Sequence, residues 1–194
     1  MSAAPKTGSG SAAAAEDASA PLAIDAVWAW LLLEPEALLK QCRQSRFQGS
    51  GPGGQKRNRI YSGVRLSHMG SGLTGECVDS RASARNVGEA LARLRLGLAL
   101  SAIAPGGNRD ATEPPAGLAG GPAFRAGANP AHADYARFAL RALSRFEAHG
   151  GQVAPAAAAL GCTASALTRF LKAEKAVWAK AKAVREAYGL HALK

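Results

Sequence analysis

The chain has 194 residues, three cysteines and a formal net charge of +10, from 24 Lys and Arg against 14 Asp and Glu. That length leaves room for one ordinary core or for two small ones joined by a linker; no apolar run approaches the roughly 20 residues needed to span a bilayer, and the first 20 residues lack a hydrophobic signal core. Cys42, Cys77 and Cys162 are odd in number, far apart and without a C-x-x-C pair, which supports neither a disulfide framework nor a zinc ribbon and predicts buried thiols in a reducing compartment.

The charge is unevenly spread. Residues 1–39 carry one Lys against five acids, net −4; residues 40–100 carry 11 Lys and Arg against three acids, net +8; residues 101–194 carry 12 against six, net +6. Such an excess points to a polyanionic partner, although a basic surface serves RNA, an anionic membrane or plain solubility alike.

In chain order, residues 1–20 hold Ser, Ala, Gly and Pro and nothing bulky, so they read as a disordered N-terminus. From Ile24 to about Ser45 the pattern is helical, with Val27, Leu31, Leu38, Leu39 and Cys42 on an apolar face and Pro35 opening a second helix. Ser62, Val64 and Leu66 then alternate with Gly63, Arg65 and Ser67, which predicts a strand. Met69-Gly70-Ser71-Gly72 supplies a turn, and Leu73 to Val78 alternates again as an antiparallel neighbour. Ser80 and Ser83 are candidate N-caps for a helix burying Val87, Leu91, Leu94 and Leu98, with Arg85, Arg93 and Arg95 on its surface.

This closes a small α+β domain over residues 21–104. Residues 105–130, dense in Gly, Pro and Ala, read as a linker. Residues 131–194 predict an all-α domain: helices from Ala133 to His149, Ala154 to Leu160, Ala164 to Ala173 and about Val177 to Tyr188, broken at Gly150-Gly151 and Gly161. The second and third of these suggest a helix-turn-helix with Arg169 and Lys172 exposed, and an alanine-rich hairpin that only packs on its neighbours fits the same residues. Trp178 reads as core rather than as a base-stacking platform.

Chemistry concentrates in Ser50-Gly51-Pro52-Gly53-Gly54-Gln55-Lys56-Arg57-Asn58. Gly53 and Gly54 lack a β-carbon, so backbone N–H groups there can approach a substrate that larger residues would block, with Gln55 at the tip. This stretch, continued by Ser62-Gly63-Val64-Arg65-Leu66-Ser67-His68, Gly72, Cys77, Arg81, Asn86, Ala90-Leu91 and Leu94, resembles the catalytic domain of class I peptide chain release factors over roughly residues 36–100. The resemblance implies a domain that enters the ribosomal peptidyl transferase centre and helps water cleave the ester of peptidyl-tRNA. It assigns Gly53, Gly54 and Gln55 to catalysis. The backbone N–H of Gln55 would stabilise an oxyanion or alkoxide, an effect of about 10²–10³ in rate, and its side chain would position water. No Ser-His-Asp or Cys-His pattern, cofactor or metal cluster is indicated.

Lys56, Arg57, Asn58, Arg59, Arg65, Arg81 and Arg85, with Arg169 and Lys172 further on, are the residues expected to meet rRNA or tRNA. His68, alone at a strand end, reads as a structural hydrogen-bonding residue. Two departures from the family pattern, Arg57 in place of a small β-branched residue and Ala82-Ser83 in place of a Ser-Gln pair, bear on subfamily rather than on chemistry. Only 54 residues precede Gln55, which leaves stop-codon reading without an obvious home and makes the chain look more like the codon-independent rescue factors.

The expected partners are the ribosome, with peptidyl-tRNA and the mRNA channel, and a methyltransferase acting on Gln55; the expected state is a cytoplasmic monomer. Lys172, Lys175, Lys180, Lys182 and Arg185 suggest that the helical domain also holds RNA. Two rival readings are a non-catalytic ribosome-docking module on the same fold and a DNA-binding regulator built on the C-terminal helices.

Overall fold

The computed structural model describes residues 21–48, 61–107 and 123–191. The N-terminal tail, the motif from Gly53 to Arg59 and most of the Gly/Pro/Ala-rich segment lie outside them. Among the described residues no helix is long and apolar enough to cross a membrane.

Two short helices come first, as expected: α1 (Ile24–Leu32) and α2 (Pro35–Lys40), the latter with Pro35 in its first turn, where a missing N–H costs nothing. Val27, Trp28, Leu31 and Leu38 are buried. Helical periodicity misleads beyond this point, because Cys42–Phe47 is strand β1 and not the end of a helix. Its middle residues Arg43, Gln44, Ser45 and Arg46 are all exposed, so nothing in their side-chain pattern specifies a strand. The backbone ladder to β2 does.

β1, β2 (Gly63–His68) and β3 (Thr74–Cys77) form one antiparallel sheet in that order. The β1–β2 register runs from Cys42 opposite His68 to Phe47 opposite Gly63, and Val64 faces Cys77 across the predicted hairpin. The central strand buries Val64, Leu66 and His68 and turns Arg65 outward, the period-two pattern of a sheet covered on one face. The cover is α3 (Ser83–Ser101), which packs on β2 and β3 through Ala90, Leu91, Leu94 and Leu98. Val87, expected in the core, is half-buried.

Neither predicted serine caps α3. Ala82 holds the N-cap position without a side-chain bond, and Ser80 instead accepts the Ala82 N–H. Arg95, expected on the surface, is buried: its Nη2 donates to Leu33 O at 2.6 Å. From α4 (Tyr135–Ala148), Arg137 Nε donates to Leu31 O at 2.7 Å while its Nη1 pairs with Asp134. Two guanidinium groups thus meet the carbonyl end of α1, where the helix dipole favours cations. Burial, then the Arg137 charge, pull Arg95 below the usual arginine range.

The C-terminal part is helical in the predicted order: α4 (Tyr135–Ala148), α5 (Val153–Ala159), α6 (Ala164–Ala173) and α7 (Lys175–Ala187). Gly150 and Gly151, at φ 59° and 74°, break the chain between α4 and α5. Helix α7 starts two residues earlier than periodicity suggests because Glu174 accepts the Ala176 N–H and caps it. Helix α4 buries Phe138, Leu140, Leu143 and Phe146 and lies against α3 and α1, so its apolar residues join those of α3 in one core. Phe124, from the segment predicted to lack a core of its own, packs edge-on against Phe138 and Phe170. Of the three thiols only Cys77 is buried; Cys42 and Cys162 are half-buried, and all three are free.

Candidate functional site

The glycine-rich motif belongs to the connection between β1 and β2, residues 48–62, with Gln55 its central residue. The base of that connection is well specified. Phe47 and Gly63 form the last pair of the ladder, and a β-carbon on Gly63 would sit 2.7 Å from Phe47 O and 3.0 Å from Val78 Cγ1. Only a residue without a side chain lets the two roots approach this closely.

Asn86, fully buried in the first turn of α3, holds the return root. Its Nδ2 donates to Ser62 O at 2.7 Å and to Ser80 O at 2.8 Å, while its Oδ1 accepts the Ser80 N–H at 2.9 Å and lies 3.5 Å from Cys77 Sγ. One amide thereby ties the exit of the motif loop to the segment between β3 and α3. Arg93 secures the same segment from outside, its two Nη atoms donating to Glu76 O and Asp79 Oδ2.

His68 is the neutral centre of a second network at the far end of β2. Ser71 Oγ and Gln41 Oε1 lie 2.9 Å and 3.3 Å from its ring nitrogens, Ser71 Oγ accepts the Leu73 N–H, and Trp30 packs edge-on at 4.6 Å. With the amide oxygen of Gln41 as acceptor, the assigned tautomer carries its proton on Nε2 and accepts from Ser71 on Nδ1. Burial pushes His68 below its usual value. Between that lowered value and an unfolded-state pKa of about 6.5, the unfolded chain binds a proton that the folded chain does not. Stability is therefore full above the unfolded value and falls as pH drops through this window. Thermal melts from pH 7.5 to 5 are expected to show a steeper acid-side loss for wild type than for His68→Gln; equal slopes would remove His68 as the cause.

The expected RNA contacts divide into groups. Lys56, Arg57, Asn58 and Arg59 lie in the part of the loop outside the described residues. Arg65 is exposed on β2, but its Nε is 2.5 Å from Glu76 Oε1 and its guanidinium lies over the Phe47 ring, so its charge is already engaged at the loop base. Arg81 and Arg85 are exposed beside Asp79, Ser80, Asn86 and Glu89, around an open cleft beneath the return root. Arg169 and Lys172 belong to α6, which packs on α5 and α7. Sequence reading gave no role to Tyr61, 62% exposed one residue before Ser62. An exposed aromatic beside a basic glycine-rich loop was the available signal, since such rings stack on bases.

A family model described as the RF-1 domain matches residues 37–112. Curated relatives include the peptide chain release factors 1 of Cytophaga hutchinsonii, 38% identical over 63 residues, and of Amoebophilus asiaticus, 36% identical over 63 residues; each alignment covers 32% of this chain and 18% of the relative. That of Exiguobacterium sp. is 42% identical over 57 residues, covering 29% of this chain and 16% of the relative. The chain thus spans less than a fifth of the length of these relatives. No solved structure matches it.

Proposed function

We propose that the chain hydrolyses the ester of peptidyl-tRNA in the ribosomal peptidyl transferase centre, without reading a codon; the match of residues 37–112 to the RF-1 domain and the similarity to peptide chain release factors 1 support this reading. The observation that carries this reading is the sequence Gly53-Gly54-Gln55 at the middle of a loop whose two roots are held together by the Phe47–Gly63 pair and by Asn86.

Ester hydrolysis develops negative charge on oxygen, first in the tetrahedral intermediate and then on the leaving ribose. A backbone N–H donor fixed at that point stabilises the charge at no reorganisation cost, and its loss typically slows a reaction by about 10²–10³. In this proposal the Gln55 N–H is that donor, Gly53 and Gly54 leave it unobstructed, and the Gln55 side chain orients the attacking water. The return root of that loop is held by Gly63 and Asn86, both buried. Lys56, Arg57, Asn58 and Arg59, with Arg81 and Arg85 at the loop base, meet the RNA backbone, and the Tyr61 ring stacks on an exposed base. Arg65 serves chiefly to hold Glu76 and Phe47 in place.

Codon independence is the finer part of the proposal. The segment that follows the matched one is helical, with α4 packed on α3 and α1 and α7 on α3. Peptide release from ribosomes whose A site holds a stop codon, a sense codon or no codon tests codon independence. Comparable rates on all three are expected. Release confined to stop-codon complexes would make the chain a decoding termination factor instead.

A further inference from the structure

The charges of α6 and α7 are sorted in a way their sequence does not show. Residues 164–187 hold six Lys and Arg against two acids, net +4, yet two of the six are turned inward. Lys180 Nζ donates to Ile103 O at 3.3 Å, and burial lowers its pKa. Arg185 donates from Nη1 to Gly151 O and from Nε to His191 O. What stays exposed is Arg169 and Lys172 on α6 with Lys175 and Lys182 on α7.

One of these lies over an aromatic ring, and two more share that ring's helix. Lys172 Nζ lies 5.3 Å from the centre of the Trp178 ring, and Lys175 and Lys182, three residues before and four after Trp178, share its helix face. Trp178, read as core from its spacing, is half-buried and packs against the core. It anchors the ridge below and holds a cation above. Exposed Ala173, Ala176 and Ala179 lie among the cations. Of the two acids, Glu174 caps α7, and Glu186 sits one turn beyond Lys182.

From this arrangement we infer that the Lys172–Lys175–Trp178–Lys182 ridge, extended by Arg169, is a second RNA-binding surface that grips a phosphate backbone. The inference rests on the release-factor reading for the identity of the polyanion. Its chemistry is cations in a row with small residues between them. The exposed large hydrophobics among the described residues are Tyr61 and Met69, neither of them here, so the ridge offers no apolar wedge for a bilayer and no greasy anchor for a protein partner.

The test is equilibrium binding of the full chain to purified ribosomes between 50 and 200 mM salt, comparing wild type with Lys172→Glu/Lys175→Glu/Lys182→Glu and with the corresponding triple Gln variant, each checked for its thermal melt. About tenfold or greater loss of affinity for the Glu variant, a smaller loss for Gln, and a salt slope shallower by about 2 for both are expected. Unchanged affinity and slope in folded variants would overturn the inference, as would wild type that does not bind ribosomes or a triple variant that loses only binding to phosphatidylserine vesicles. Peptide release is read in parallel. Loss of binding by the variants with no release even by wild type would keep the RNA surface and remove the hydrolase.

Discussion

Replacing Gly54 by alanine is expected to slow peptide release by about 10²–10³-fold while leaving ribosome affinity and the melting temperature unchanged. The single methyl group would stand beside the N–H assigned to the developing oxyanion, while the described anchors of the loop are other residues. Phe47 and Gly63 close the ladder, and Asn86 holds Ser62 from within α3. A fall in release with equal binding would assign the effect to transition-state stabilisation. A parallel fall in affinity would mean that Gly54 serves docking instead.

The second large effect concerns the scaffold. Gly75→Ala is expected to destabilise the fold by about 3 kcal/mol or more, a drop in Tm of about 6–12 °C. A β-carbon at Gly75 would run into the backbone of Ala90 and lie 2.7 Å from Leu94 N, so β3 and α3 could keep their contact only by moving apart. Such a shift also disturbs Asn86, which lies on the same helix and holds the loop root. Gly88→Ala gives the contrast. Gly88 is exposed within α3 with nothing inside 4 Å of its would-be β-carbon, and alanine there is expected to stabilise by up to about 1 kcal/mol. Melts of the two variants should move in opposite directions.

Those two glycines also show how far the sequence could be read. Both sit in regular elements, and letters alone do not say which meets a backbone and which meets water; the close packing of α3 on β3 decides it. Where a face has a period, reading succeeded: Val64 and Leu66 against Arg65, and Leu91, Leu94 and Leu98 along α3, were legible because burial follows 2.0 and 3.6 residues. β1 was not, since an exposed edge strand of Arg, Gln and Ser owes its conformation to a partner about 20 residues away.

Charges were legible in number but not in direction. Arg95, Lys180 and Arg185 look like solvent-facing cations, yet they satisfy carbonyls at helix ends and loops, and their long apolar stems make such burial tolerable. Asn86 carried a family resemblance with no role attached. Its four polar contacts become visible only when Ser62 and Ser80 are brought to it.

The most direct test of the central claim is single-turnover release of labelled peptide from purified ribosomes that hold peptidyl-tRNA and an empty A site, wild type against Gln55→Ala. Release by wild type well above spontaneous hydrolysis, slowed at least tenfold by the variant at equal binding, is the expected result. Ribosome binding without release by wild type would contradict it and leave a non-catalytic docking module on the same fold.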